Sequence, residues 1–86
     1  MLAGGVSAPQ PAANLEGDAA AADAFVRSKV PELANATLES YTTQVVAGAK
    51  YGFTYAGYPG VVFVWVKAWE NFMQITLPDG TVINNQ

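Results

Sequence analysis

The chain contains no cysteine and no histidine among its 86 residues. Without cysteine no disulfide staples the fold, and no redox compartment is implied. The two absences together exclude zinc sites built on thiolate and imidazole. They also exclude any catalytic triad or dyad that needs an imidazole base. Charge is scarce: four basic and seven acidic residues leave a formal net charge of -3. Nothing there supplies the basic surface that nucleic-acid binding requires, so no nucleic-acid partner is expected. An apolar share of 51% with so little charge argues against a disordered chain. The longest apolar run, Val61 to Val66, is too short to span a bilayer, and no membrane partner is expected. The start of the chain lacks the basic segment and apolar core of a signal peptide. A cytoplasmic location is expected, or a secreted one if a leader has been removed; Met1 is compatible with both. No cofactor or metal is implied.

Eighty-six residues suit one domain with a modest core, here residues 1–86. Residues 1–13 are rich in Gly, Ala, Pro and Ser without periodicity, and read as a flexible arm. A helical pattern begins at Leu15, with Asn14 as its expected N-cap and Glu16 and Asp18 near the positive end of the dipole. Leu15, Ala19, Ala22, Val26, Val30 and Leu33 form one apolar stripe, widened by Phe25. Asp23, Arg27 and Glu32 fall largely off it. Pro31 inside a helix would cost roughly 3 kcal/mol. Leu33 continues the stripe, so a kink at Pro31 is expected rather than a stop.

After Asn35 the pattern turns to strand chemistry. Leu38 to Thr43 and Ala49 to Ala56 read as strands, the second with Tyr51, Phe53 and Tyr55 alternating with smaller residues. Gly57-Tyr58-Pro59-Gly60 is a turn by composition. Val61 to Trp69 reads as a long strand with apolar residues on both faces. One face packs on the helix; the other, Val62, Val64 and Val66 or their neighbours, needs cover from long side chains or a partner. Phe72 to Leu77 reads as a last strand, followed by a Pro78-Asp79-Gly80 turn. The expected fold class is α+β, with one N-terminal helix packed on a curved antiparallel sheet of four or five strands.

Between the first two strands lies Gln44-Val45-Val46-Ala47-Gly48. Turns lie on the surface, so two adjacent valines there cannot both point into a core. An exposed apolar turn on a small domain is unfavourable unless something docks on it. The segment resembles the Gln-Val-Val-Ala-Gly hairpin of the cystatins, protein inhibitors of papain-like cysteine proteases. Two further segments carry the resemblance, in the family's order. Gly4-Gly5 followed by Ser7, Pro11 and Ala12 looks like the N-terminal trunk of stefins. Val64 to Phe72 is similar to the plant-cystatin pattern around the second hairpin; Ala68 stands where a proline is usual, and Trp69 is retained. The helix departs from plant cystatins, so the resemblance is to the superfamily and not to one subfamily.

The resemblance implies a cystatin-like fold without enzymatic activity, inhibiting reversibly and non-covalently through a three-part wedge. Leu2 and Ala3 would lie in unprimed subsites, with Gly4 close to the catalytic thiol and Gly5 also among the protease-binding residues. Gln44, Val45, Val46, Ala47 and Gly48 would cover the catalytic centre. Trp69, with Glu70 and Asn71 in the turn beside it, would lie against the primed side. Each segment also has a plainer reading: a terminal glycine pair without a role, core valines, and a core tryptophan at a strand end. Tyr51, Phe53, Tyr55 and Trp65 read as core and sheet-face residues. Glu16, Asp18 and Asp23 read as a solvated helix start rather than a catalytic pair. Asn35-Ala36-Thr37 fits a glycosylation acceptor and is read as an unmodified connector. A monomer is expected, with a domain-swapped dimer as a variant. The alternatives are a self-assembling or domain-swapping structural protein built on the same fold, and a binding scaffold without inhibitory activity that takes a small molecule or peptide on the sheet face.

Overall fold

The computed structural model describes residues 6–85. One helix, α1 (Gly17–Lys29), packs on an antiparallel sheet of six strands in chain order: β1 (Gln10–Pro11), β2 (Leu38–Val46), β3 (Gly48–Tyr55), β4 (Val62–Lys67), β5 (Phe72–Thr76) and β6 (Val82–Asn84). The four strands expected are there, and the two additions are short edge pieces. β1 pairs Gln10 with Tyr41 and Pro11 with Ser40, so part of the expected arm lies along β2. β6 returns after the Pro78-Asp79-Gly80 turn and pairs with β5 at Ile83 and Ile75. Two- and three-residue strands carry too little alternation to be read from pattern.

The helix starts later than its stripe suggests. Gly17 has φ +57°, a left-handed conformation that favours glycine, and it reverses the chain after a 3-10 turn at Ala12–Asn14. Glu16, in extended conformation, is therefore the cap instead of Asn14, and it makes no side-chain capping bond. Asn14 donates its side-chain amide to Gln10 Oε1. The helix also stops rather than kinks. Val30, the residue before Pro31, is extended at ψ 96°, as the proline ring requires, and Pro31 opens a separate 3-10 turn, Pro31–Leu33. Leu33 stays buried because that turn folds it back onto the core.

Ala19, Ala22, Val26, Val30 and Leu33 meet Tyr51, Phe53, Tyr55, Val62, Val64, Val66 and Ile75 in one core. Tyr51, Phe53 and Tyr55 lie in a row with ring centroids 6.2 Å apart. On β4, Val62, Val64 and Val66 face the helix, and their neighbours Phe63 and Trp65 form the other face. The expected cover from long side chains is there: Lys50 Nζ lies 5.0 Å from the Phe63 centroid, and Lys67 Nζ 4.6 Å from that of Trp65.

Asp23 departs from its expected place on the solvated side of α1. It is only 8% exposed. Its carboxylate accepts from Tyr55 Oη at 2.6 Å and from Arg27 Nε at 3.0 Å. Arg27 donates onward to the carbonyls of Leu33 and Ala36. One charge pair thus ties α1, the 3-10 turn and β3 together, and among the described residues each buried side-chain polar atom has a partner. Burial, then the bond to Asp23, holds the Tyr55 phenol well above the ordinary tyrosine range.

Candidate functional site

Antiparallel pairing brings three segments to one end of the sheet. The β2–β3 ladder continues through Gln44↔Lys50 and Val45↔Ala49 to Val46↔Gly48. Only Ala47 is unpaired, so the turn is tighter than a five-residue loop from Gln44 to Gly48. Gly48 makes this geometry accessible. Its φ is +97°, and a Cβ added there would overlap the Val66 carbonyl oxygen.

β3 and β4 pair at Ala49↔Val66, so the end of β4 lies beside this tip. β4 stops at Lys67, short of the expected Trp69, because a 3-10 turn at Ala68–Glu70 follows, closed by Asn71 in the left-handed region at φ 51°. Trp69 sits in that turn, 65% exposed. Its indole Nε1 donates to Glu70 Oε2 at 3.1 Å, and Glu70 Oε1 lies 3.5 Å from Lys67 Nζ. Asn85 Nδ2 donates to the Asn71 carbonyl, and Asn85 Oδ1 accepts from Met73 N, which braces the second hairpin from the C-terminal side.

On the other flank of β2, Val6 bridges Gln44. Ser7 N donates to the Thr43 carbonyl at 2.8 Å, and Thr43 N donates to Ser7 Oγ at 2.9 Å. The sheet order therefore puts the Val6 segment, the first hairpin and the second hairpin side by side. Leu2, Ala3, Gly4 and Gly5 lie outside the described residues.

Of the seven exposed large hydrophobic residues among those described, four gather at this end, while Val61, Phe63 and Val82 lie elsewhere on the sheet. Val6 (61%), Val45 (65%), Val46 (38%) and Trp69 are large hydrophobic side chains exposed there. Val45 is on the helix-side face but lies past the end of the core. Val46 is on the opposite face and borders a shallow groove with Lys50, Phe63, Trp65, Gln74 and Thr76. Single exposed apolar residues are ordinary on any protein; several at adjoining loop tips mark a surface suited to a partner.

The link between the two hairpins did not follow from the sequence reading. Trp65 Nε1 donates to the Ala47 carbonyl at 2.8 Å, and its ring meets Phe72 edge-on at 5.5 Å between centroids. Lys67 Nζ stands over both rings. Strict alternation along Val62–Lys67 was the available signal: it sends Phe63, Trp65 and Lys67 to one face while the valines go inward.

Among the described residues no group of three or more His, Cys, Asp or Glu side chains could hold a metal ion, and no helix is long and apolar enough to cross a membrane. Comparison with protein-family models, curated proteins and solved structures returned no match.

Proposed function

We propose that this chain is a reversible, non-covalent inhibitor of papain-like cysteine proteases, acting as a cystatin-like wedge. The observation that carries the reading is the row of exposed apolar side chains at one end of the sheet: Val6, Val45 and Val46, and Trp69. The residues of that row belong to, or adjoin, the three segments that resemble cystatins. A papain-like cleft is narrow and lined by apolar and backbone groups, and adjoining hairpin tips of this chemistry fit such a slot.

In this reading Val45 and Val46 bury apolar area over the catalytic centre. Gln44, Ala47 and Gly48 shape the tip; Gly48 keeps it close against β4. Trp69 supplies a broad aromatic contact on the primed side, with Glu70 and Asn71 fixing its turn. Tryptophan is enriched among interface hot spots. Leu2, Ala3, Gly4 and Gly5 complete the wedge on the unprimed side. The chain has no cysteine to form a mixed disulfide with the protease thiol, and the tip presents a tight turn rather than an extended peptide for that thiol to attack. Inhibition is therefore expected to be stoichiometric and fully reversible.

Titration of papain with the purified chain tests this directly. Loss of activity at one equivalent, with full recovery on dissociation and no effect on a serine protease, is the expected outcome. No inhibition at about micromolar concentration, some −8 kcal/mol of binding free energy, would remove the reading. So would a covalent adduct in the mass spectrum.

A further inference from the structure

The face of the sheet opposite α1 carries a second feature, separate from the proposed wedge apart from sharing Gln44 and Val46. Pairing aligns two rows across the strands. One is Gln44–Lys50–Trp65–Gln74–Asn84, and the other is Thr42–Gly52–Phe63–Thr76–Val82. Gly52 lacks a side chain beneath Phe63; a Cβ there would lie 3.1 Å from the ring and 2.7 Å from Thr42 Oγ1. The ring thus lies down over the glycine and leaves a groove between itself and Trp65. That groove has a volume of about 240 Å³ and is walled by Val46, Lys50, Phe63, Trp65, Gln74 and Thr76.

We propose that this groove binds a small aromatic monocarboxylate, its ring against Phe63 and Trp65 and its carboxylate on Lys50. Charge selects the occupant. Lys50 is the one ionised side chain in the wall, and among the described residues no carboxylate lies within ion-pair distance of it. The other lysine on this face, Lys67, is engaged by Glu70. Lys50 Nζ rests 5.0 Å from the Phe63 centroid and has no carboxylate partner among the described residues, and one such cation beside an apolar floor matches a monoanion, not a phosphate that needs several donors. Two aromatic walls select a flat ring over a branched aliphatic chain. Size sets the limit: the groove lies below the roughly 300–1,000 Å³ of drug-sized sites, so the ligand has about a dozen non-hydrogen atoms. For a ligand of that size the dissociation constant is about 1 mM.

Titrating the isotopically labelled full chain with 2-naphthoate, and separately with neutral 2-naphthamide, tests this by amide chemical shifts. No protease is present, so the result is independent of the inhibitor reading. Saturable shifts centred on Lys50, Gly52, Phe63, Trp65 and Gln74 are expected, with the acid binding more tightly than the amide. Lys50→Gln, a surface change, should weaken the acid about threefold to fivefold and leave the amide unchanged. Gln74→Glu, which adds a negative charge across the groove, should act in the same direction. Equal affinity for acid and amide, an acid affinity indifferent to Lys50→Gln, shifts centred elsewhere, or no saturation by about 10 mM would each overturn the proposal.

Discussion

Val45 offers the sharpest separation of contact from core. Its side chain is 65% exposed, so about two thirds of its burial gain is still unused in the free chain. Full burial of a valine is worth about 2 kcal/mol, which leaves about 1.3 kcal/mol for a partner to take up. Val45→Ala should therefore weaken papain inhibition by about fivefold, since alanine keeps part of that area. Val45→Asp goes further, because the carboxylate would be desolvated in the cleft without a partner; a loss of several kcal/mol, more than about a hundredfold, is expected. Fold stability should hold within about 0.5 kcal/mol for both variants, as at other surface positions. Val46 is the poorer probe. It is only 38% exposed and walls the groove with Phe63 and Lys50, so a charge there perturbs the free chain as well. The assay pairs a steady-state inhibition constant against papain with urea unfolding on the same preparation. An intact Val45→Asp chain that inhibits like the parent refutes the contact. A Val45→Asp chain that unfolds refutes the claim that the tip is independent of the core.

Three further outcomes follow from the geometry. Gly48→Ala forces a Cβ onto a positive φ and against the Val66 carbonyl; a loss of about 2–4 kcal/mol in urea unfolding is expected, and parental stability would contradict the close approach. Trp65→Phe keeps a ring against Phe72 but removes the donor to the Ala47 carbonyl; stability should fall by about 1 kcal/mol or less while amide exchange quickens at residues 46–48, and unchanged exchange there would mean the bond does not hold the tip. Burial and the Asp23 bond raise the Tyr55 pKa, so above pH about 10 the folded chain keeps a proton that the unfolded chain loses; stability is full below that pH and falls as pH rises, by at most about 1.4 kcal/mol per pH unit for this group. Tyr55→Phe should flatten that alkaline slope in thermal unfolding, and an equal slope in both chains would assign the effect elsewhere.

The helix, the four main strands and the apolar tip were legible because each carries a periodic or compositional signal. Ala19, Ala22 and Val26 mark the buried face of α1, and Tyr51, Phe53 and Tyr55 that of β3. Other features depend on tertiary context. Asp23 lies within the polar side of α1 by pattern, yet the buried carboxylate is satisfied there by Arg27 one turn on and by Tyr55, 32 residues along the chain. The kink expected at Pro31 gave way to a break because a following 3-10 turn carries Leu33 inward without continuing the helix. β1 and β6 are too short to alternate, and their existence depends on exposed ladder edges of β2 and β5. At the site end the valines are exposed as expected, but as ladder residues of β2 beyond the core and not as turn residues. The bond that fixes the turn was not legible, since Trp65 and Ala47 are 18 residues apart and meet only through the register of β3 on β4.

That bond bears on why an apolar tip is useful on a chain this small. Its exposure brings the free protein no stability and leaves a surface prone to self-association. The tip is nevertheless held in place by polar groups outside the core. Trp65 restrains the Ala47 carbonyl, Gly48 seats the backbone against Val66, and Asn85 braces Asn71 in the neighbouring hairpin. A hairpin fixed in this way loses little conformational freedom on docking, whereas each rotamer-rich side chain ordered at an interface costs about 0.5–1.5 kcal/mol. The modest burial available to Val45 and Val46 is then not consumed by ordering the loop that carries them. The hydrogen bonds that hold the two hairpins and the apolar exposure of their tips suit a recognition surface, and the placement of both at the same end of the sheet is the physical basis of the wedge reading.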